Sequence, residues 1–222
     1  MSFDAVRRGV PGASLAVAAS RRARGGYLVD EWGLDPDLVA IADPFFAARW
    51  DLSVEGAERL PAVGGAVLVF NRRIGISEPW VLARGVRQAS GRFVRTVGVP
   101  DVAPVGPALR RFGGVLDRTD EISGLLKAGQ LVGLPMSRDI RSRERVGQLT
   151  VERLEAAIET LSPVVPVALV GREVGRAWRI VVGEPVAYPR GGGPLAAAEL
   201  AEATREAVQE MLNEALPTAW WF

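Results

Sequence analysis

The chain has 222 residues, 48% of them hydrophobic and 24% charged, with a formal net charge of +1. That length supports one domain with a substantial core, and the composition excludes a disordered chain and gives no overall pull toward nucleic acid. The sequence contains no cysteine and no histidine, so it offers neither disulfides nor thiolate chemistry nor an imidazole.

Residues 1–26 read as a flexible basic arm, rich in Gly, Ala and Ser with Arg7, Arg8, Arg21, Arg22 and Arg24. It is either a free terminus or a segment resting on anionic lipid, where each arginine contributes ~1 kcal/mol. The apolar part of residues 10–20 is too short and too rich in small residues for a signal peptide. No run of about 18 apolar residues occurs, so no embedded helix is expected. A cytoplasmic location follows as the expectation, with peripheral contact on the inner face of the membrane as its extension.

Residues 27–222 read as one α/β domain. Asp35-Pro36 predicts a capped helix start with proline at the first helical position, and the helix runs toward Arg49. Residues 50–56 alternate as a strand entering a turn, and Ala66 to Asn71 form a continuous apolar strand. A helix follows from Glu78-Pro79 to about Ser90, with Ser77 placed to cap it. Then come a strand at 92–98, a short helix at 105–112, a strand at 114–118 and a helix at 120–128. A strand at 131–134 precedes a helix at 151–161, whose Val151, Leu154, Ala157, Ile158 and Leu161 recur at helical spacing. Strands at 164–170 and 178–182 complete the sheet, and a terminal helix at about 195–216 stops at Pro217. Alternating helices and buried strands predict a largely parallel central sheet covered by helices. Gly191-Gly192-Gly193 follows no strand and reads as a loop.

Four segments carry a resemblance. Leu52 to Pro61 is similar to the opening strand of the glycerolipid, or 1-acylglycerol-3-phosphate, acyltransferase family. Asn71 to Pro79 stands where that family has its catalytic motif. Leu109 to Arg118 is similar to its second block, and Val164 to Val170 to its fourth. The resemblance spans residues 27–187 and implies the fold of that family, in a single domain. It also implies an activity: a His takes the proton of an acceptor hydroxyl, an Asp five positions on orients the His, and the alkoxide attacks an acyl thioester.

At those two positions this chain has Arg72 and Ser77. A guanidinium stays protonated and has no acceptor, so Arg72 is no base. Losing a positioned base costs roughly 10²–10⁴-fold in rate. The family's third block, Phe-Pro-Glu-Gly-Thr-Arg-Ser, is here Leu134-Pro135-Met136-Ser137-Arg138-Asp139-Ile140-Arg141-Ser142-Arg143, without the Glu and Gly. The expectation is a catalytically degenerate acyltransferase-fold protein of glycerolipid metabolism that binds a lipid, lysophospholipid or acyl-CoA ligand, or regulates a partner.

Two alternatives stay open. One is an active enzyme with a displaced carboxylate base, Glu78 foremost, then Asp117 or Asp139. The other is a non-enzymatic interaction subunit. Arg72, Arg73, Arg118, Arg138, Arg141 and Arg143 are the candidate phosphate ligands. Against that, one of Arg72 and Arg73 pairs with Glu78 while the other faces water, Glu78 complements the helix dipole, Arg118 ends a strand in solvent, and residues 138–145 form a solvated loop. No metal or cofactor is expected; acyl-CoA or acyl carrier protein would be co-substrate or ligand. Trp220-Trp221-Phe222 either packs on the body or anchors at a membrane interface.

Overall fold

In the computed structural model, residues 15–73, 75–138, 145–189 and 193–215 are described. The two strand-rich halves of the chain merge into one seven-stranded sheet. Its strands are β1 (Asp51–Glu55), β2 (Ala66–Phe70), β3 (Val94–Val97), β4 (Gly114–Val115), β5 (Leu131–Pro135), β6 (Val164–Gly171) and β7 (Ala177–Val182). The helices are α1 (Leu15–Ala23), α2 (Pro36–Arg49), α3 (Glu78–Ser90), α4 (Val105–Arg110), α5 (Thr119–Lys127), α6 (Glu155–Thr160) and α7 (Pro194–Ala215).

The spatial order is β1-β7-β6-β2-β5-β3-β4. All neighbouring pairs are parallel except β6 and β7, which form an antiparallel hairpin. The central strands β2 and β5 are buried along their whole length, as continuous apolar runs covered on both faces require. Edge strand β1 alternates exposed and half-buried residues instead. One face of the sheet packs Leu68, Phe70, Val81, Leu82 and Ile180. The other packs Val67, Val69, Leu125, Leu134, Val208 and Leu212, which brings in α5 and α7.

Most predicted elements stand where the pattern put them, and the exceptions have physical causes. Asp35 caps α2 as expected, accepting the Leu38 N–H at 3.0 Å. Strand β4 ends at Val115 rather than residue 118 because its partner β3 ends at Val97 and turns at Gly98, with φ +108. The helix expected at 151–161 opens as a 3₁₀ turn over Val151–Leu154, with the Arg153 N–H on the Thr150 carbonyl and no capping side chain. It becomes α-helical only over α6.

The basic arm needs the larger correction. Residues 15–23 are helical, Ala18 is fully buried, and Arg21 pairs with Asp37 at 2.9 Å while Arg22 pairs with Asp35. Two of the arginines expected to sample solvent or lipid are thus committed to carboxylates of α2 and its cap. Arg7, Arg8, Pro217 and Trp220-Trp221-Phe222 lie outside the described residues, as do Gly191 and Gly192. Among the described residues, no helix is long and apolar enough to cross a membrane.

Candidate functional site

Parallel pairing places the C-terminal ends of β2, β5 and β6 at one edge of the sheet. Side chains leaving those ends converge on the loop between β2 and α3. Asn71 sets where that loop departs. Its side-chain amide donates to the Leu169 carbonyl at 3.0 Å, and its Oδ1 accepts the Leu169 N–H at 2.7 Å. A buried side chain thus substitutes for the next rung between β2 and β6, and the backbone is freed to turn. Sequence reasoning gave Asn71 no role; an amide at the end of an apolar strand was the available signal.

The next residue, Arg72, is half-buried, and its Nε–H has no partner among the described residues. Burial foremost, and then the charge of Arg138, pull its pKa below the usual guanidinium value; Glu78 opposes this and Arg153 adds to it. Arg138, following β5, donates to the Gly75 carbonyl at 2.9 Å. Arg153 donates to the Pro135 carbonyl at 2.6 Å and to Asp117 Oδ2 at 2.6 Å. Three guanidiniums from the loops after β2 and β5 and from the 3₁₀ turn therefore share one neighbourhood.

Glu78 stands at the start of α3 and is 2% exposed. Its Oε1 accepts the backbone N–H of Arg73 at 3.0 Å, and its Oε2 has no partner among the described residues. The expected ion pair of Glu78 with Arg72 or Arg73 is absent among the described residues; the contact is to backbone. Burial likewise lowers the pKa of the half-buried Arg73, with Glu78 opposing.

Ser77 does not cap α3. Its backbone is already helical, with φ −75 and ψ −30, and its side chain makes no capping bond. Instead its Oγ donates to Glu173 Oε1 at 2.8 Å, while the Ser77 N–H reaches Glu173 Oε2 at 3.3 Å. Glu173 sits in the β6–β7 hairpin, and Arg49 holds that hairpin through the carbonyls of Glu173 and Gly175. Gly75 leaves room for the Glu173 carboxylate, which would have to shift if a Cβ stood there.

Arg118 lies apart from this group. It is exposed at the head of α5, its side chain has no partner among the described residues, and it is not among the charges acting on Arg72. Arg153 does act there. Sequence reasoning missed it because it sat unremarked between core positions of a predicted helix. Asp117, a candidate base, is tied to Arg153 beside a groove of about 290 Å³ that Thr119 and Thr150 also line. Asp139, Arg141 and Arg143 lie outside the described residues. Among the described residues, no three His, Cys, Asp or Glu side chains gather as a metal site. What this edge of the sheet offers chemically is a set of fixed cations and donors, with Glu78 as the buried carboxylate beside them among the described residues.

No family model matches the chain. Curated relatives include an uncharacterized protein of Mycobacterium leprae, 26% identical over 92% of this chain and 72% of its own length. An uncharacterized protein of Mycobacterium tuberculosis is 25% identical over 92% of this chain and 74% of its own. Among solved structures, the 1-acyl-sn-glycerophosphate (LPA) acyltransferase PlsC from Thermotoga maritima matches with a TM-score of 0.58, covering 95% of this chain and 87% of that one. The sequences are 19% identical, so this likeness speaks for architecture. The chain has an acyltransferase-like α/β fold.

Proposed function

We propose that this chain is a catalytically degenerate acyltransferase-fold protein of glycerolipid metabolism, binding an anionic lysophospholipid or acyl-thioester ligand at the exit of β2. The observation that carries this reading is Arg72. It stands where the resemblance places a base, half-buried, with an unpartnered Nε–H and two further guanidiniums acting on it. A phosphate would neutralise that gathering and accept charge-assisted hydrogen bonds from it. Arg73 and Arg118 are the weaker ligands of the set, the first being turned toward Glu78 through its backbone and the second standing apart.

The test is native mass spectrometry of the purified protein with long-chain acyl-CoA and lysophosphatidic acid, scanning the same sample for acylated product. Bound ligand without product is expected, with binding lost in Arg72→Ala. Product above the protein-free control overturns the degenerate reading. Neither ligand nor product leaves the interaction subunit as the surviving alternative.

A second reading rests on Glu78 Oε2, a buried carboxylate oxygen without a partner. In an active enzyme it would take the acceptor hydroxyl's proton, the oxygen would bond to the thioester carbonyl carbon, and the C–S bond would break to release thiolate. Glu78→Gln then abolishes turnover while the fold persists; undiminished turnover removes Glu78.

Peripheral contact with an anionic membrane at the cytoplasmic face belongs to the leading reading. Arg24 and the exposed Leu15, Val17 and Tyr27 support it. Co-sedimentation with phosphatidylglycerol vesicles, set against phosphatidylcholine vesicles, is the check.

A further inference from the structure

The groove of about 290 Å³ runs between the head of α5 and the 3₁₀ turn that opens before α6. Its floor is Ile122 and Ala156, both buried, and its walls are polar. Arg153 is the wall that it shares with the Arg72 cluster. One arm of the Arg153 guanidinium reaches Asp117 at 2.6 Å and the other the Pro135 carbonyl at 2.6 Å. Pro135 closes β5 opposite Phe70, the last residue of β2. Two positions further on stands Arg72, on which the Arg153 charge acts. A phosphate held by Arg72 and Arg138 is thus a neighbour of Arg153, and a group esterified to that phosphate comes within reach of the groove.

The side chains of the groove say which group. Thr119, Thr150 and Glu152 are exposed in its walls. Among the described residues the two threonine hydroxyls make no hydrogen bond, and Thr150 does not cap the turn that it precedes. Glu152 has no ion pair there, and Asp117 has one oxygen on Arg153. Two carboxylates stand against one guanidinium, so a second phosphate is disfavoured in the groove. An acyl chain would meet mostly polar wall. An ammonium would find Asp117 already paired and Glu152 in water, where an ion pair contributes little. Hydroxyl groups fit, because they donate to the free carboxylate oxygens and both donate to and accept from the threonines. Ile122 and Ala156 give the C–H face of such a group an apolar floor. The volume lies at the small end of ligand sites.

We infer that this groove selects the head group of the ligand, a polyol joined through a phosphodiester. The phosphate lies on the Arg72 cluster, and the polyol hydroxyls bond Thr119, Thr150, Glu152 and Asp117. The inference rests on the function proposed above for its phosphate site, and it names the class of ligand which that site takes.

The test is calorimetric titration of the full chain with monomeric lysophosphatidylinositol, lysophosphatidylglycerol, lysophosphatidylethanolamine and lysophosphatidylethanol, and with soluble glycerophosphoinositol. Lysophosphatidylethanol is a phosphodiester of the same charge as the first two but without the hydroxyls. The inositol or glycerol ester binds at least about tenfold more tightly than it, the equivalent of two neutral hydrogen bonds. Thr119→Val with Thr150→Val removes that preference and leaves lysophosphatidylethanol binding unchanged, whereas Arg72→Ala weakens all the esters alike. Both threonines are exposed and free of side-chain bonds among the described residues, so the variant folds, and an unchanged melting temperature verifies this. Glycerophosphoinositol bound as tightly as its lysolipid supports the groove and makes the ligand a soluble ester. Equal affinities for the polyol esters and lysophosphatidylethanol overturn the inference and leave the proposed function standing. So does a preference that the double threonine variant keeps, or tighter binding of lysophosphatidylethanolamine. If no ester binds, the inference and the proposed function fall together.

Discussion

Arginine is used in opposite ways in two regions of this molecule. Along the seam between the N-terminal segment and the sheet, three aspartates each meet a guanidinium. Asp30 pairs with Arg95, Asp35 with Arg22 and Arg111, and Asp37 with Arg21. At the exit of β2, Arg72, Arg138 and Arg153 gather, and among the described residues only Arg153 has a carboxylate in ion-pair reach. The seam's charges are spent on holding the chain together. Those at the β2 exit outnumber the carboxylates that reach them among the described residues, and such charge is available to a ligand.

The sharpest way to test the contrast is to break the seam. Arg95 is 1% exposed on β3, and of its three nitrogens only Nη2 has a partner, Asp30. Burial pulls its pKa down and Asp30 pushes it back. Asp30→Ala strands that charge, and also removes the acceptor for the Trp32 and Leu34 N–H groups. A loss of about 3–5 kcal/mol is expected in denaturant unfolding, with a much smaller loss for Arg95→Met, which leaves no buried charge. A cost under about 1 kcal/mol for Asp30→Ala would show that the seam holds nothing.

Next in size is Asn71→Ala. It leaves the Leu169 N–H and carbonyl without the partners Asn71 provides, at about 1–3 kcal/mol for each buried group left unsatisfied. Faster amide hydrogen exchange at Leu169 reports the opening directly. Exchange at the wild-type rate would mean that the backbone closes the gap unaided, and that Asn71 does not set the loop.

These two cases show where sequence reading succeeds and stops. The buried runs of β2, β5 and β6 and the Asp35-Pro36 cap were legible because apolar period and capping chemistry are local properties. Arg72 was legible as an anomaly because it interrupts a motif at a fixed spacing. Arg153 and Glu173 were not, since each reaches the site from a segment far off in the sequence and local pattern says nothing about which side chains meet. Ser77 was misread for the same reason. A serine before Glu-Pro fits a cap, yet a carboxylate 96 positions away claims its hydroxyl. Arg95 lies inside a predicted strand, and no local pattern announces the Asp30 that pairs with it.

Ser77 gives a smaller and more selective test. Ser77→Ala loses one hydrogen bond, about 1 kcal/mol, and Glu173→Ala loses that bond together with the acceptor for the Ile76 and Ser77 N–H groups. Because the two side chains share the bond, the double variant costs less than the sum of the singles. Strict additivity would mean that the hydroxyl acts elsewhere, and a helix-cap role for Ser77 would return.

The smallest expected change in stability is the most telling. Arg72→Met removes a half-buried cation that Arg138 and Arg153 repel and that no carboxylate of the described residues reaches within ion-pair distance. Methionine keeps the aliphatic bulk and abandons the desolvated charge, so stability holds or rises by up to about 1 kcal/mol. The same substitution weakens binding of lysophosphatidic acid by at least about tenfold, because a charge-assisted bond to phosphate is gone. Stability retained while affinity is lost is the pattern of a residue placed for a ligand, the reverse of the pattern expected at Asp30. Destabilisation of several kcal/mol would put Arg72 with Arg95 as part of the scaffold, and the gathering of guanidiniums at the β2 exit would cease to mark a site.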